Sequence, residues 1–275
     1  MQLRKALLLA VVVSLAATAC SRLTFVRAPS KITPFKSESP DYSVRDSEQT
    51  KRRMQSRERL QLASQRLQTG DFATAEREAK LVLKDDPQSA GAHAILALTA
   101  QGRNDRKAAG EHFKRAAELA PADGGSLNNY GTWLCGNGYP AESLVWFDRA
   151  LAAPGYATPA AALANAGGCA LKTGQYERAG RDLRKALELA PTNAYALASM
   201  AENEYRQSRY FEARAFTERR LAAAPASRDV LQLARDIEQA LGDTAAANRY
   251  AQRLRTEFPN AASATNTAPG GASKP

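Results

Sequence analysis

Few residues in this sequence are of types and spacings that could perform chemistry. The chain has two histidines and three cysteines. His93 and His112 do not form the H-E-x-x-H spacing that places two imidazoles on one helix face to bind zinc. There is no Walker A loop and no G-x-S-x-G elbow, and Gly136-Asn137-Gly138 lies in a turn between predicted helices instead of after a strand. We therefore predict no catalytic residues, no metal site, no cofactor and no small-molecule substrate.

The first cysteine, Cys20, follows a typical export signal. Two basic residues (4–5) precede an apolar run (6–15) that is too short to span a bilayer but is suited to a signal-peptide core. Small residues then lead directly to the cysteine. This arrangement resembles the bacterial lipobox, in which the cysteine becomes the first mature residue and carries the lipid. We expect residues 1–19 to be a lipoprotein signal peptide.

The sequence departs from the usual lipobox at one position, and a second interpretation of the cleavage site is possible. Ala17 stands where leucine is commonest in the lipobox, and Ala17-Thr18-Ala19 also fits an ordinary A-x-A cleavage site that would leave Cys20 as a free thiol. Ser21 is not the aspartate that resembles an inner-membrane retention signal. By that analogy we expect a lipid anchor on the periplasmic face of the outer membrane.

Composition sets the outer segments apart from the body of the chain. Residues 20–50 carry Pro29, Pro34 and Pro40 without a sustained apolar period, which predicts a flexible linker. Residues 262–275 are small, polar and rich in glycine and proline, which predicts a disordered tail. The formal net charge of +10 comes from lysines and arginines interleaved with acidic residues. That pattern favours solvated helix faces and predicts no nucleic-acid partner.

The strongest signal is an internal period of about 34 residues, a length typical of helical repeats. Pro87, Pro121, Pro191, Pro225 and Pro259 recur at this spacing, except that the interval from Pro121 to Pro191 is two residues longer than two periods. Each proline ends a predicted pair of helices in which small residues, a turn and an aromatic or aliphatic residue recur at equivalent positions. Proline stops a helix, and a helix–turn–helix phrase of this period is the signature of tetratricopeptide (TPR) repeats.

The period predicts the fold class. We expect an all-α chain in which six repeats over residues 56–261 stack into a right-handed superhelix, because one helix pair cannot bury its apolar face alone. The two extra residues between Pro121 and Pro191 predict a longer loop at residues 153–159.

Position within the repeat also predicts a binding surface. The first helix of each repeat is expected to line a groove that holds an extended peptide or a helix of another protein. Asparagine side chains there could pair with a ligand backbone, although each residue could instead be groove wall or part of the core. The groove candidates are Leu60, Leu67, Ile95, Leu98, Asn128, Asn129, Thr132, Asn165, Tyr195 and Tyr205.

Cys135 and Cys169 fall in the first helices of repeats three and four. Because neighbouring first helices stack and the two positions differ by only two residues in register, a disulfide is geometrically allowed, and the periplasm permits it. The alternative is that both are buried small hydrophobic residues. The sequence favours the disulfide.

The middle repeats resemble a known family. Residues 128–135 (Asn-Asn-Tyr-Gly-Thr-Trp-Leu-Cys), 147–151 (Phe-Asp-Arg-Ala-Leu) and 165–171 (Asn-Ala-Gly-Gly-Cys-Ala-Leu) together resemble the type IV pilus biogenesis/stability lipoprotein family (PilF/PilW). The resemblance runs from the lipobox through all six repeats. It implies a pilotin, a lipoprotein that helps the pilus secretin to reach the outer membrane and to form its multimeric ring.

Two other functions fit the predicted scaffold. One is a TPR lipoprotein of the outer-membrane protein insertion machinery, and the other is a periplasmic scaffold for cell-wall enzymes. The Asn-Asn-Tyr-Gly run and the cysteine pair argue against both.

Overall fold

Twelve α-helices and no strands make up residues 47–259, which are the residues that the computed structural model describes. The helices form six consecutive pairs, and we call the first member of each pair the A helix and the second the B helix. They are α1 Glu48–Gln68, α2 Phe72–Asp85, α3 Ala90–Gly102, α4 Arg106–Leu119, α5 Gly124–Gly136, α6 Pro140–Ala152, α7 Pro159–Lys172, α8 Tyr176–Leu189, α9 Ala194–Arg206, α10 Tyr210–Ala223, α11 Arg228–Ala240 and α12 Thr244–Glu257.

Helix starts follow capping chemistry. The residue before most of these helices has a side-chain oxygen that accepts a hydrogen bond from the backbone N–H three residues on, which satisfies an otherwise unpaired donor. These N-cap residues are Ser47, Asp71, Ser89, Asp105, Asp123, Asn193, Ser227 and Asp243. Helices α6 and α7 instead begin with proline, whose missing N–H costs nothing at the first helical position.

Each turn from an A helix to its B helix contains one residue with a left-handed backbone. Four of the six turns use glycine, which adopts a positive φ without a Cβ clash, and the other two use Asn104 and Ser208. The glycines are Gly70, Gly138, Gly174 and Gly242. Within each turn the chain therefore reverses over a few residues, which brings the A helix directly against its own B helix.

The core depends on close approach between paired helices. Gly131 of α5 packs on Phe147 of α6, and a Cβ at Gly131 would stand only 2.9 Å from the phenyl ring. Gly167 of α7 faces Leu183 of α8 in the same way, and both large side chains are fully buried. Every helix also packs on its chain neighbours, and A helices contact the next A helix at several junctions, including α7 with α9 and α9 with α11. These contacts confirm the all-α TPR solenoid predicted from the repeat period.

The boundaries differ in detail from the sequence prediction. Helix α1 begins at Glu48, inside the segment predicted as linker and before the predicted start of the repeats at residue 56, because Ser47 caps the helix. Its first residues are exposed, so no apolar periodicity marks them in the sequence. Helix α12 ends at Glu257. The predicted signal peptide, Cys20, most of the linker and the tail lie outside the described residues.

The predicted longer loop lies between α6 and α7. Gly155 has a positive φ there, and Tyr156 returns to pack on the core cluster that includes Phe113, Leu127 and Tyr130. The tyrosine ring occupies the space beside Gly124, where any side chain would clash with it. The extra residues thus fill the joint between repeats three and four.

A disulfide joins Cys135 of α5 to Cys169 of α7, with 6.0 Å between their Cα atoms. Both cysteines are buried beside Leu144 and Phe147, so the bond links two A helices within the core of repeats three and four. No helix in the described part of the chain is long and apolar enough to cross a membrane.

Reduction of this disulfide should destabilise the middle repeats. A crosslink that closes a loop with a sequence separation of 34 restricts the unfolded chain, which corresponds to about 3–4 kcal/mol of stability. In urea unfolding followed by circular dichroism, dithiothreitol should lower the midpoint of the full-length chain. The Cys135→Ala/Cys169→Ala variant should show a low midpoint that does not respond to dithiothreitol. Equal midpoints for the oxidised and reduced wild type would contradict the expected stabilisation.

Candidate functional site

The A helices of repeats four to six enclose an open groove of about 610 Å³. Helix α9 runs along the length of the groove, because Tyr195, Ser199, Glu202 and Arg206 recur at helical spacing on one face, with the two charged residues toward its C-terminal end. Helices α7 and α11 supply the two sides. We call this surface the A-helix groove, and its lining residues are Gly168, Leu171, Lys172, Gly174, Tyr176, Tyr195, Ala198, Ser199, Glu202, Arg206, Asp229, Val230 and Leu233.

Tyr195 is the main aromatic side chain of the A-helix groove. Tyr195 is 48% exposed, and its hydroxyl lies against Gly168, where a Cβ would stand 2.1 Å from the hydroxyl oxygen. Desolvation of the phenol raises its pKa further above neutral pH, and the protonated hydroxyl can donate a hydrogen bond. An exposed aromatic ring that also carries a donor is a typical anchor for a protein partner.

Charged side chains of both signs border this apolar centre. Arg206 donates a hydrogen bond to Glu202 at 2.6 Å on α9, while Lys172 and Asp229 lie on α7 and α11 at the groove's sides. Apolar contacts in the middle with ionic groups at the edge are the usual arrangement of a protein-binding surface. The groove is therefore suited to a peptide or helix that has an apolar face and charges of both signs.

Three of the predicted polar residues form one hydrogen-bond network. The Asn165 side-chain amide on α7 donates to Asn128 Oδ1 and to Thr132 Oγ1 on α5, both at 3.1 Å, and Thr132 donates to the Asn128 backbone oxygen at 2.8 Å. Asn129 is half-buried on the same helix. The network joins two neighbouring A helices. The Asn165 amide, which the sequence analysis predicted to bind a ligand backbone, therefore already donates hydrogen bonds within the protein.

The other predicted groove residues divide between surface and core. Leu98 on α3 is 40% exposed, as a groove residue should be. Leu60 and Leu67 instead pack into the core cluster of repeats one and two, because they share a helix face with the fully buried Ala63. Ile95 is buried in the same cluster. For Ile95 the groove prediction was wrong, whereas Leu60 and Leu67 are partly buried.

The groove prediction was also wrong for Tyr205. Its ring packs on Tyr210 of α10, with 5.7 Å between ring centroids. Tyr205 is half-buried and is not one of the residues that line the A-helix groove.

Sequence reasoning missed all four charged groove residues, although the repeat register could have found them. Lys172 and Arg206 are one full repeat apart, as are Tyr195 and Asp229. Equivalent positions of stacked repeats lie side by side, so each aligned pair falls on the same surface. The equivalence of Tyr195 and Asp229 is hard to see in the sequence, because the residue type changes from tyrosine to aspartate between neighbouring repeats.

The structure brings the two histidines together, away from the groove. His93 of α3 and His112 of α4 have their Nδ1 atoms 3.1 Å apart. Among the described residues, no group of three or more His, Cys, Asp or Glu side chains is arranged to hold a metal ion. Two neutral imidazoles, one donating and one accepting, account for the contact.

This histidine pair should make stability depend on pH. Desolvation is the main cause that lowers the pKa of both imidazoles. At His93 a hydrogen bond with the Pro87 backbone opposes the lowering and Arg115 adds to it, and at His112 the lowering is increased by His93 and Lys80 and opposed by Glu111. The unfolded chain therefore binds protons more readily below about pH 6.5, so the pair's contribution is complete above that pH and is lost as the pH falls below it. Urea unfolding at pH 7.5 and 5.5 should show a smaller loss for His93→Gln/His112→Gln than for wild type. An equal loss in both proteins would contradict this.

Comparison with known proteins was made at the level of repeats and of the whole fold. The tetratricopeptide repeat family model matches residues 160–193, which span α7 and α8. A search of curated protein sequences gave no match. Among solved structures, MamA superposes with a TM-score of 0.52 at 15% identity, covering 69% of this chain and all of the MamA chain, which shows a shared fold.

Two pilus proteins are more similar. PilF of Pseudomonas aeruginosa has a TM-score of 0.70 and 24% identity, with 77% of this chain and 96% of PilF covered. PilW, described as a widely conserved type IV pilus biogenesis factor, has a TM-score of 0.69 and 32% identity over 74% of this chain and 94% of its own. The similarity therefore extends over almost the whole of PilW. The chain belongs to the PilW family of type IV pilus biogenesis factors.

Proposed function

We propose that this chain is a pilotin, an outer-membrane-anchored TPR scaffold that promotes the localisation and multimerisation of the type IV pilus secretin. The observation that carries the proposal is the 32% identity to PilW over 94% of that protein. The role is one of protein binding and not catalysis. TPR proteins act through their exposed helix faces, and this chain presents such a face in the A-helix groove.

The A-helix groove supplies the contacts for a secretin segment. Tyr195 and Leu233 offer apolar surface to one face of the segment, and Tyr195 adds a hydroxyl donor. Lys172 and Arg206 can pair with acidic residues of the segment, whereas Asp229 can pair with basic ones. Burial of the aromatic anchor would provide most of the affinity, and the charged edge would set the orientation of the segment.

The anchor in this proposal is a lipid on Cys20, which lies outside the described residues. Several acyl chains on one cysteine hold a protein firmly at a membrane, since each buried methylene contributes about 0.8 kcal/mol. The chain from Cys20 to Glu48, where α1 begins, can span at most about 90–100 Å even when fully extended. That reach lets the groove meet a periplasmic segment of a membrane-bound ring while the lipid remains in the outer membrane.

A genetic complementation experiment tests the proposal. The gene is deleted in its host, and secretin multimers are measured on non-boiled gels of outer membranes, together with surface pili and twitching motility. Deletion should abolish the multimers. Wild type should restore them, whereas Cys20→Ala should restore them poorly because the anchor is lost.

Two matched tyrosine variants then separate the groove from the rest of the surface. Tyr195→Ala removes the groove anchor, and Tyr139→Ala removes a tyrosine of similar exposure (54%) outside the groove. With purified secretin, Tyr195→Ala should weaken binding roughly tenfold or more, as loss of an aromatic anchor does. Tyr139→Ala should bind like wild type. Normal multimers in the deletion strain would sink the pilotin proposal and direct attention to the outer-membrane insertion machinery and to cell-wall enzymes.

A further inference from the structure

A second cavity, of about 530 Å³, opens on the B-helix side of the chain between α8 and α10, with α9 as its floor. We call it the B-helix cavity. It is lined by Tyr176, Glu177, Gly180, Arg181, Arg184, Asn203, Glu204, Gln207, Arg209, Glu212 and Phe216. Apart from Tyr176, none of these residues lines the A-helix groove.

The B-helix cavity exists because small residues meet at this one joint. Between repeats two and three, the Trp133 indole fills the corresponding space against Gly110. Gly180 and Asn203 occupy the positions equivalent to Gly110 and Trp133 two repeats later, between repeats four and five. A glycine thus faces an asparagine where the earlier joint pairs a glycine with a tryptophan. The difference in side-chain volume leaves the space empty.

The floor of the cavity carries a buried amide without partners. Asn203 is 0% exposed, and neither its side-chain oxygen nor its nitrogen forms a hydrogen bond within residues 47–259. Burying an unpaired polar group is costly, and most buried polar side-chain atoms in proteins are paired. One repeat later, Ile237 occupies the equivalent position and is almost fully buried. An apolar residue therefore fits this position, and packing alone does not explain an asparagine.

Side-chain donor atoms lie close together beside Gly180. A Cβ at Gly180 would stand 3.3 Å from Asn203 Nδ2 and 3.5 Å from each terminal nitrogen of the Arg184 guanidinium. Arg181 also lines the cavity, and neither arginine forms an ion pair in the described part of the chain. These N–H-bearing atoms lie close together at the floor of the cavity, and donors grouped in this way are suited to a small planar anion.

The acidic residues of the cavity lie around a different cation. Arg209 donates hydrogen bonds to the buried Glu204 and to Gln207, and Glu212 and Glu177 also act on its charge. The cavity is therefore polarised, with an acidic group of side chains around Arg209 and unpaired guanidinium donors near Asn203. The nearby carboxylates disfavour a doubly charged phosphate more strongly than a singly charged carboxylate, and a guanidinium matches the two oxygens of a carboxylate.

We propose that the B-helix cavity binds a carboxylate group, with Arg184 and the Asn203 amide nitrogen donating to its oxygens at the floor of the cavity. Because Asn203 is fully covered, the ligand enters by displacing the exposed Arg184 side chain, which then closes on the same carboxylate. The carboxylate belongs either to a small free acid or to an acidic side chain of a peptide. This site is independent of the proposed pilotin function, which assigns the secretin segment to the A-helix groove.

Nuclear magnetic resonance titration tests the proposal on the full-length chain labelled with ¹⁵N in glycine and asparagine. The probes are sodium succinate and the acetylated, amidated tripeptide Ala-Glu-Ala, with sodium chloride at matched ionic strength as the control and sodium phosphate as the competing anion. A carboxylate probe should shift the Gly180 amide and the Asn203 side-chain resonances saturably. Response to succinate alone assigns the site to free acids, and response to the tripeptide alone assigns it to acidic side chains.

Two charge-removing variants locate the effect. Arg184→Gln should weaken the binding at least tenfold. Lys114→Gln is the matched control, because Lys114 holds the equivalent position at the joint that Trp133 fills, and it should leave the titration unchanged. Shifts no larger than those with chloride, shifts that survive Arg184→Gln, or tighter binding of phosphate than of either carboxylate would each overturn the proposal.

A third variant distinguishes a binding role of Asn203 from a structural one. Asn203→Leu should raise the thermal midpoint, because it removes an unpaired amide and fills space, and it should abolish the saturable shift at Gly180. A lowered midpoint would show that Asn203 stabilises the fold by itself and would contradict the proposal. Persistent binding in this variant would contradict it as well.

Discussion

The close approach of each A helix to its own B helix is the constraint on which the rest of the structure depends. Gly131 and Gly167 bring the backbones near enough for Phe147 and Leu183 to fill the interface completely. Each pair then has one apolar side left to cover, and the next pair covers it, so the chain grows as a stack. The disulfide between Cys135 and Cys169 follows from the same stacking, since it joins A helices of adjacent repeats.

All six repeats share the same pattern of residues at equivalent positions. The places where a repeat departs from this pattern are the places where the structure differs from a regular TPR stack. The extra residues between repeats three and four bring Tyr156 back onto Gly124. At the joint between repeats four and five, Asn203 takes the position that Trp133 fills earlier and leaves a polar cavity. The two faces of repeats four and five thus differ in kind. The A-helix groove is apolar at its centre and charged at its edge, whereas the B-helix cavity has unpaired donors at its floor.

The fold was accessible from the sequence because proline, glycine and alanine carry the period directly. A helix end, a tight turn and a close approach of two helices each require a particular residue type. Pro87, Gly70 and Gly131 therefore indicate the local backbone geometry even when the residues that pack on them are unknown. The residues that line the groove were harder to predict from the sequence, because they depend on how each A helix is rotated about its own axis. Ile95 is buried in the core, and Leu60 and Leu67 pack against it. Nothing in the sequence except their position in the repeat marks Glu202 and Arg206 as groove residues. The B-helix cavity could not be predicted, because it arises from the combined volumes of Gly180 and Asn203.

We propose that the A-helix groove holds the pilus secretin. Photo-crosslinking in living cells can test this binding site, with a photo-reactive amino acid placed at Tyr195 in the groove or at Phe211, which is 72% exposed on α10, a B helix. We expect a covalent adduct with the secretin from position 195 and little or none from position 211. Adducts from position 211 with none from position 195 would place the partner on the B-helix side and contradict the claim.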